Sequence, residues 1–431
     1  MRLTMGVALA LALALVAGGC SGSPSSEEPE GVAPRAGQAV PIPPDLASAF
    51  TETLDARAES LRDRDRERFL TTILRGNRGF VTAQSGYFDN LAQLPLRELE
   101  YSLDESSMVR AGDEYWVVVR VTLQLDGFDP EPVVTEDRFR FAASGDGRYV
   151  VSSVTDAKWE RAHDVQPQPW DMVPIQVRTR PGVLGVFDEG SVADAEPLLD
   201  SVQRGIDDVS AVVPFGWSRS VVVYALSDSD FLATLDDLPG GDPEHVDGVA
   251  FPVVTGEDGT PVTTRFALHP SMLERPGPER DRLVRHELAH VALGARDDHA
   301  PAWLAEGIAE WVSVQPLPPE ARRLPEEALS AAEAGVRRLP ADETFNDADS
   351  AAHYGLSWWA CEYLVASYGT ESLWRLLDEL DDPDDPETGQ SEVLEGLFGI
   401  SGPQLARRAA VMMINEYDPD FLVGSGNRVS P

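Results

Sequence analysis

The chain has 431 residues but only seven histidines, and two of them stand four apart in LVRHELAHVALG (283–294), with a glutamate beside the first. Composition alone predicts at most roughly 0.02 such arrangements in a chain of this make-up. Leu283, Val284, Leu288, Ala289, Val291, Ala292 and Leu293 surround the polar trio, so the stretch reads as a buried helix. Positions four apart share a helix face, which turns the His286 and His290 imidazoles the same way. Two imidazoles and a carboxylate in an apolar setting need partners, because unpaired buried polar groups are expensive. Two satisfied core histidines would be the bland explanation; a metal ion supplies partners to both at once. Glu287 is turned about 100° around the helix from His286. It can face such a site without being a ligand, as a general base must.

Zinc sites that catalyse hydrolysis need three protein ligands and one open position. The spacing that would supply a third histidine three residues beyond a glycine fails, because Leu293 and Arg296 occupy those positions. His299 follows an acidic, turn-like RDD and is a weak candidate. Downstream, PAWLAEGIAEW (301–311) begins with a helix-start proline and carries Glu306 and Glu310 four apart, again on one face. This is the pattern of a second helix packed against the first across a metal. Trp303, Leu304, Ile308 and Trp311 around Glu306 disfavour a merely exposed acid.

HELAH, followed after fifteen residues by the glutamate of WLAEGIAEW, resembles the gluzincin zinc metallopeptidases, in particular the peptidase MA-like domain. The resemblance covers about 175–420 and is strongest at 286–311. It implies a thermolysin-like zincin fold, a small sheet followed by a helical subdomain. It also implies Zn²⁺ held by His286, His290 and Glu306, with Glu287 as catalytic base and Glu310 orienting the first histidine. The family often draws an oxyanion donor from a tyrosine on a later helix. AHYGLSWWACEYLVASYG (352–369) offers Tyr354, with His353 beside it, whereas Tyr363 and Tyr368 suit a core stripe. The expected substrate is an extended peptide or protein segment laid on a sheet edge. DGVAFPVV (247–254) stands at a suitable distance before the helix, giving Gly248, Val249, Ala250 and Phe251 as the edge. The acidic Gly-x-Met-Glu-Asn stretch of aminopeptidase-N relatives is absent, which favours endopeptidase activity. Two other readings remain: a catalytically silent zinc lipoprotein acting as a binding or scaffold module, and a metal hydrolase with a non-peptide substrate.

The elements that must position these residues are expected in an α+β chain. The zincin half (171–420) opens with IQVRTRPGVLGVF (175–187), a strand pair around Pro-Gly, then a helical pattern at 194–213. Strand-like runs follow at 220–227, 247–254 and 263–270, with a hairpin loop at 255–261, and from 279 the patterns are almost all helical. Ahead of it, 45–165 reads as helices (45–75) followed by strands at 114–125, 137–144 and 148–156, with a GDG turn at 145–147. That layout is similar to the SnoaL-like, nuclear-transport-factor-like domains and carries no catalytic constellation. Pro-rich PQPWDMVP (167–174) marks the boundary.

Residues 1–20 form a targeting segment: one arginine, a short apolar core (7–16), and AGGC (17–20). Ten apolar residues are too few to span a bilayer. The ending resembles a bacterial lipobox, so Cys20 is the expected lipidation site; a plain secretory signal is the alternative. The protein is then exported and anchored by lipid to the outer face of the cytoplasmic membrane, in the cell envelope. Residues 21–44 read as a disordered tether and 421–431 as a tail. With Cys20 lipidated, Cys361 is alone and no intrachain disulfide is possible; its apolar setting suits a core residue. A net charge of −38 disfavours nucleic acid as a partner. Lys158 is the only lysine, so the positive charge is almost all arginine, and the dense acidic run DDPDDPE (381–387) reads as a solvated loop. Oligomeric state is not legible from these features.

Overall fold

The computed structural model describes residues 44–235, 238, 242–255, 260–380 and 389–417, all within one compact unit, 39–431. The expected signal segment with Cys20, the tether up to residue 43, the tip of the hairpin loop, the acidic run 381–387 and the tail lie outside them. Among the described residues no helix is long and apolar enough to cross a membrane. The architecture is mixed α+β, with one antiparallel sheet and a separate mixed sheet.

The first half contains α1 (Pro44–Arg62), α2 (Arg66–Phe69), α3 (Arg78–Leu91) and an antiparallel sheet ordered β1-β2-β3-β4. Its strands are β1 (Leu96–Ala111), β2 (Glu114–Leu125), β3 (Val133–Ala143) and β4 (Tyr149–Ser153). Two details differ from the sequence reading. The helix expected through 75 ends at Arg62, because Arg64 takes a left-handed conformation (φ 57°) and Asp65 caps a new short helix. The whole of β1 was missed in a stretch without a run of β-branched residues, although Leu99, Tyr101 and Leu103 alternate with polar neighbours.

Two short helices, α4 (Ala157–Ala162) and α5 (Pro169–Met172), lead to the second sheet. The Pro-rich boundary is not a loose linker. Trp170 is buried, and buried Asn90 on α3 donates to the Trp170 and Val173 carbonyls (both 2.8 Å) while accepting from Ile175 N–H (3.0 Å). An amide with donors and acceptor all satisfied holds the connection to α3.

The second sheet is ordered β5-β6-β7-β9-β8: β5 (Gln176–Arg180), β6 (Val183–Phe187), β7 (Val221–Ala225), β8 (Gly248–Thr255) and β9 (Thr260–Leu268). Strands β6, β7 and β9 run parallel, and β5 and β8 are antiparallel edges. At the β5–β6 turn Gly182 has φ +74°, and a Cβ there would stand 2.5 Å from the Arg219 carbonyl, so only glycine fits. One face of this sheet joins the first half in a shared apolar core: Leu184, Val222, Tyr224, Phe251 and Val253 pack with Phe50, Leu99, Val119 and Phe141. The other face carries the helices, α6 (Ala195–Val212), α7 (Pro270–Leu273), α8 (Pro278–Leu293), α9 (Ala302–Val314), α10 (Glu326–Gly335), α11 (Ser350–Tyr368), α12 (Glu371–Leu380), α13 (Gln390–Phe398) and α14 (Gly402–Tyr417).

Candidate metal centre

Helix α8 begins with Pro278 in its first turn, carries Glu279 and Asp281 against its N-terminal dipole, and stops at Gly294 (φ +56°). Its neighbours approach closely where side chains are small. A Cβ on Gly205 of α6 would stand 2.7 Å from Leu288, and one on Gly307 of α9 would stand 2.6 Å from the Ser357 carbonyl of α11. Tyr354, three residues before Ser357 on α11, lines the same cleft as Glu306 of α9.

The four-residue spacings on α8 and α9 meet at one point. His286 Nε2 lies 3.1 Å and His290 Nε2 lies 3.5 Å from the same oxygen, Glu306 Oε2. These three residues are the only His/Cys/Asp/Glu group among those described whose ligand atoms all come within 4.8 Å of one another. Behind each imidazole stands a second carboxylate. His290 Nδ1 is 2.7 Å from Asp297 Oδ2, and His286 Nδ1 is 3.3 Å from Glu310 Oε1, an ion-pair distance without hydrogen-bond alignment. Glu310 is itself held by the Arg282 guanidinium, whose other nitrogen donates to the Arg323 carbonyl (2.6 Å). Carboxylates behind metal-binding imidazoles fix the ring and its tautomer, leaving Nε2 free to coordinate.

The charge states follow. Burial alone would lower the His286 pKa, but Glu306 and Glu310 raise it to about 10; Glu306 and Asp297 likewise lift His290 well above its ordinary value. Burial opposes ionisation of Glu306 and Glu310, yet His290 and His286 hold Glu306 low, and His286 with Arg282 holds Glu310 at about 2. Without a cation, protons on the imidazoles neutralise the cluster. The donor set suits a borderline divalent ion: two imidazoles and one carboxylate, nearly dry, is a chemistry that zinc sites use.

Glu287 is 3% exposed and shares the cleft without contacting the histidine nitrogens. Burial raises its pKa, against the pull of His286 and His290, and the Ala250 backbone N–H donates to it. The cleft measures about 230 Å³ and includes Gly248, Val249, Ala250 and Pro252 of β8, the histidines, Glu287, Glu306 and Tyr354. Phe251 faces away from it, into the core shared with the first half. Tyr354 has its ring centroid 6.1 Å from that of His286; burial and the surrounding carboxylates push its hydroxyl pKa well up. His353 does not line the cleft and bonds the Phe345 carbonyl (2.9 Å). Of the two tyrosines expected in a core stripe, Tyr363 packs against the core from the edge of a surface groove between α11 and α14, whereas Tyr368 is exposed. His299 is exposed and outside the cluster, and Cys361 is fully buried with its thiol pKa raised by burial.

Asp297 is the site residue that sequence reasoning missed. It lies in the RDD segment read only as a turn, and the usable signal was that a ligating histidine needs an acceptor at its second nitrogen. Arg282 was missed too, although it stands four residues before His286 on the same helix face. No protein-family model matches the chain, and no curated protein matches it.

Proposed function

We propose that this protein is a zinc metallopeptidase of the gluzincin type, most simply an endopeptidase, with a thermolysin-like second half and a SnoaL-like first half. One observation carries the reading. Two imidazoles and a carboxylate converge on a single point, each imidazole is backed by a further carboxylate, and a buried glutamate stands in the same cleft without joining them. A purely structural site has no need of that fourth group.

His286, His290 and Glu306 would hold the zinc, with Glu310 and Asp297 orienting the imidazoles. Bound there, zinc supplies Lewis acidity and lowers the pKa of water to about 7. Glu287, kept basic by burial and aimed by the Ala250 N–H, takes the proton of the attacking water and returns it to the leaving amine. Tyr354 stays protonated at neutral pH and donates its hydroxyl hydrogen to the developing oxyanion. The AGGC ending at 17–20 supports export and lipid anchoring through Cys20 in the cell envelope, with peptide or protein substrates met there.

The test compares zinc-loaded wild type with Glu287→Gln on a degenerate peptide library. Glutamine keeps the size and hydrogen bonding of glutamate but cannot take a proton. The variant should retain one zinc by elemental analysis and lose about 10²–10⁴-fold in hydrolysis. Equal rates with zinc in place would rule the mechanism out, and zinc binding without turnover in the wild type would favour the silent-lipoprotein reading.

A further inference from the structure

The wall of the cleft shows which side chains it can hold. Gly248, Ala250, Pro252, Gly294 and Ala305 line it with small surfaces, and Tyr354 is its one aromatic besides the histidines. Val249, the largest aliphatic residue of the lining, is buried in the core shared with the first half. A large apolar side chain therefore finds few partners there. Among the described residues no arginine or lysine lines the cleft, so an acidic side chain finds no counter-charge.

The carboxylates of the site differ in what they face. Glu306 and Asp297 stand against the histidines, and their two charges match a divalent ion. Glu310, behind His286, is paired with Arg282. Glu287 gives up its charge whenever it takes a proton from water. Asp298 has none of these tasks. It is exposed, lines the cleft, and follows Asp297 in the segment that leaves α8 beyond His290. The turn Gly294–Arg296 of that segment packs against β9, whose Thr264 belongs to the same wall. Asp298 thus stands at the His290 end of the cleft. A carboxylate offers about four acceptor sites, so a bound cation need not displace a partner that Asp298 already holds. The whole chain adds a field of the same sign. Asp and Glu number 73 against 35 Lys and Arg, which draws cations inward and repels acidic segments.

We propose that the cleft selects cationic peptide segments, with Asp298 receiving a lysine or arginine side chain close to the scissile bond. This selection rests on the peptidase reading above and gives its substrate class. The aliphatic stem lies along the small residues of the wall while the charged head stays at the wet end beside Asp298. Glutamate at the same substrate position meets like charges and is disfavoured.

The experiment uses peptides identical except for lysine, norleucine or glutamate at one position, moved along the sequence. Binding is read by fluorescence anisotropy on zinc-loaded Glu287→Gln, and cleavage on zinc-loaded wild type. At one position lysine should bind about tenfold more tightly than norleucine, with glutamate weakest. The advantage should shrink on going from about 0.05 M to about 0.5 M salt. Asp298→Asn should abolish it while leaving zinc content and norleucine-peptide affinity unchanged, and Asp298→Lys should turn the preference toward glutamate. Equal binding of all three peptides at every position, or a lysine advantage that survives in Asp298→Asn, overturns the selection and leaves the peptidase reading standing. Asp298-dependent binding without cleavage by wild type overturns the peptidase reading and leaves the charge selection standing.

Discussion

Two buried charged clusters involve residues of the second half, and they are built on opposite plans. Arg265 on β9 and Asp129 from the first half meet at 2.8 Å with side chains 2% and 0% exposed. The other Arg265 nitrogen at the fork donates to Tyr224 Oη (2.8 Å) and Gln168 (3.2 Å), and the second Asp129 oxygen accepts from Leu125 N–H (2.8 Å). Apart from the buried Arg265 Nε, donors there meet acceptors. In the cluster of His286, His290 and Glu306, the ligand atoms all point at one place, and only added protons or a cation can reconcile them. The first arrangement holds two halves of the chain together; the second is competent to bind something. A buried charge is informative about function when its neighbours fail to neutralise it.

That contrast can be broken from either side. Asp129→Asn leaves Arg265 buried without its counter-ion, and breaking such a pair costs about 3–5 kcal/mol. Chemical denaturation should show that loss, while zinc content of the folded variant stays at wild-type level. Loss of zinc from the folded variant would mean that the two clusters are not separable.

Per pH unit, a smaller effect is expected from titration. His286 and His290 of the metal-free protein have pKa values raised above 6.5, so they carry protons at neutrality. Their ion pairs stabilise the metal-free fold fully below that value, and this contribution is lost as pH rises through about 10. Zinc must displace those protons, so its affinity should rise from pH 6 to 8 by about tenfold per unit for each proton released. Competition with a chelator measures the slope, and a flat profile would show that the imidazoles are neutral before the metal arrives.

The mildest change is at Asp297. Replacing it with asparagine keeps the shape but weakens the hold on His290 Nδ1, and zinc affinity should fall by about 10–100-fold. The same assay reads it. An unchanged affinity would make Asp297 a loop residue that merely lies near the imidazole.

The pairing of His286 with His290 and of Glu306 with Glu310 was readable without coordinates, because the pitch of one helix fixes which of its own residues share a face. The same holds for the Pro-Gly turn before Val183 and for the alternation that made 247–254 a strand, since both depend on neighbours along the chain. What the sequence could not supply are the distances between elements. Asp297 behind His290, the Ala250 N–H on Glu287, and Tyr354 rather than His353 in the cleft each join separate elements. So does the core that Phe50 and Phe141 share with Val222 and Phe251 across the boundary expected at 167–174. Such contacts are set by how closely packed helices and sheets approach, as at Gly205 and Gly307, and no local periodicity encodes that approach.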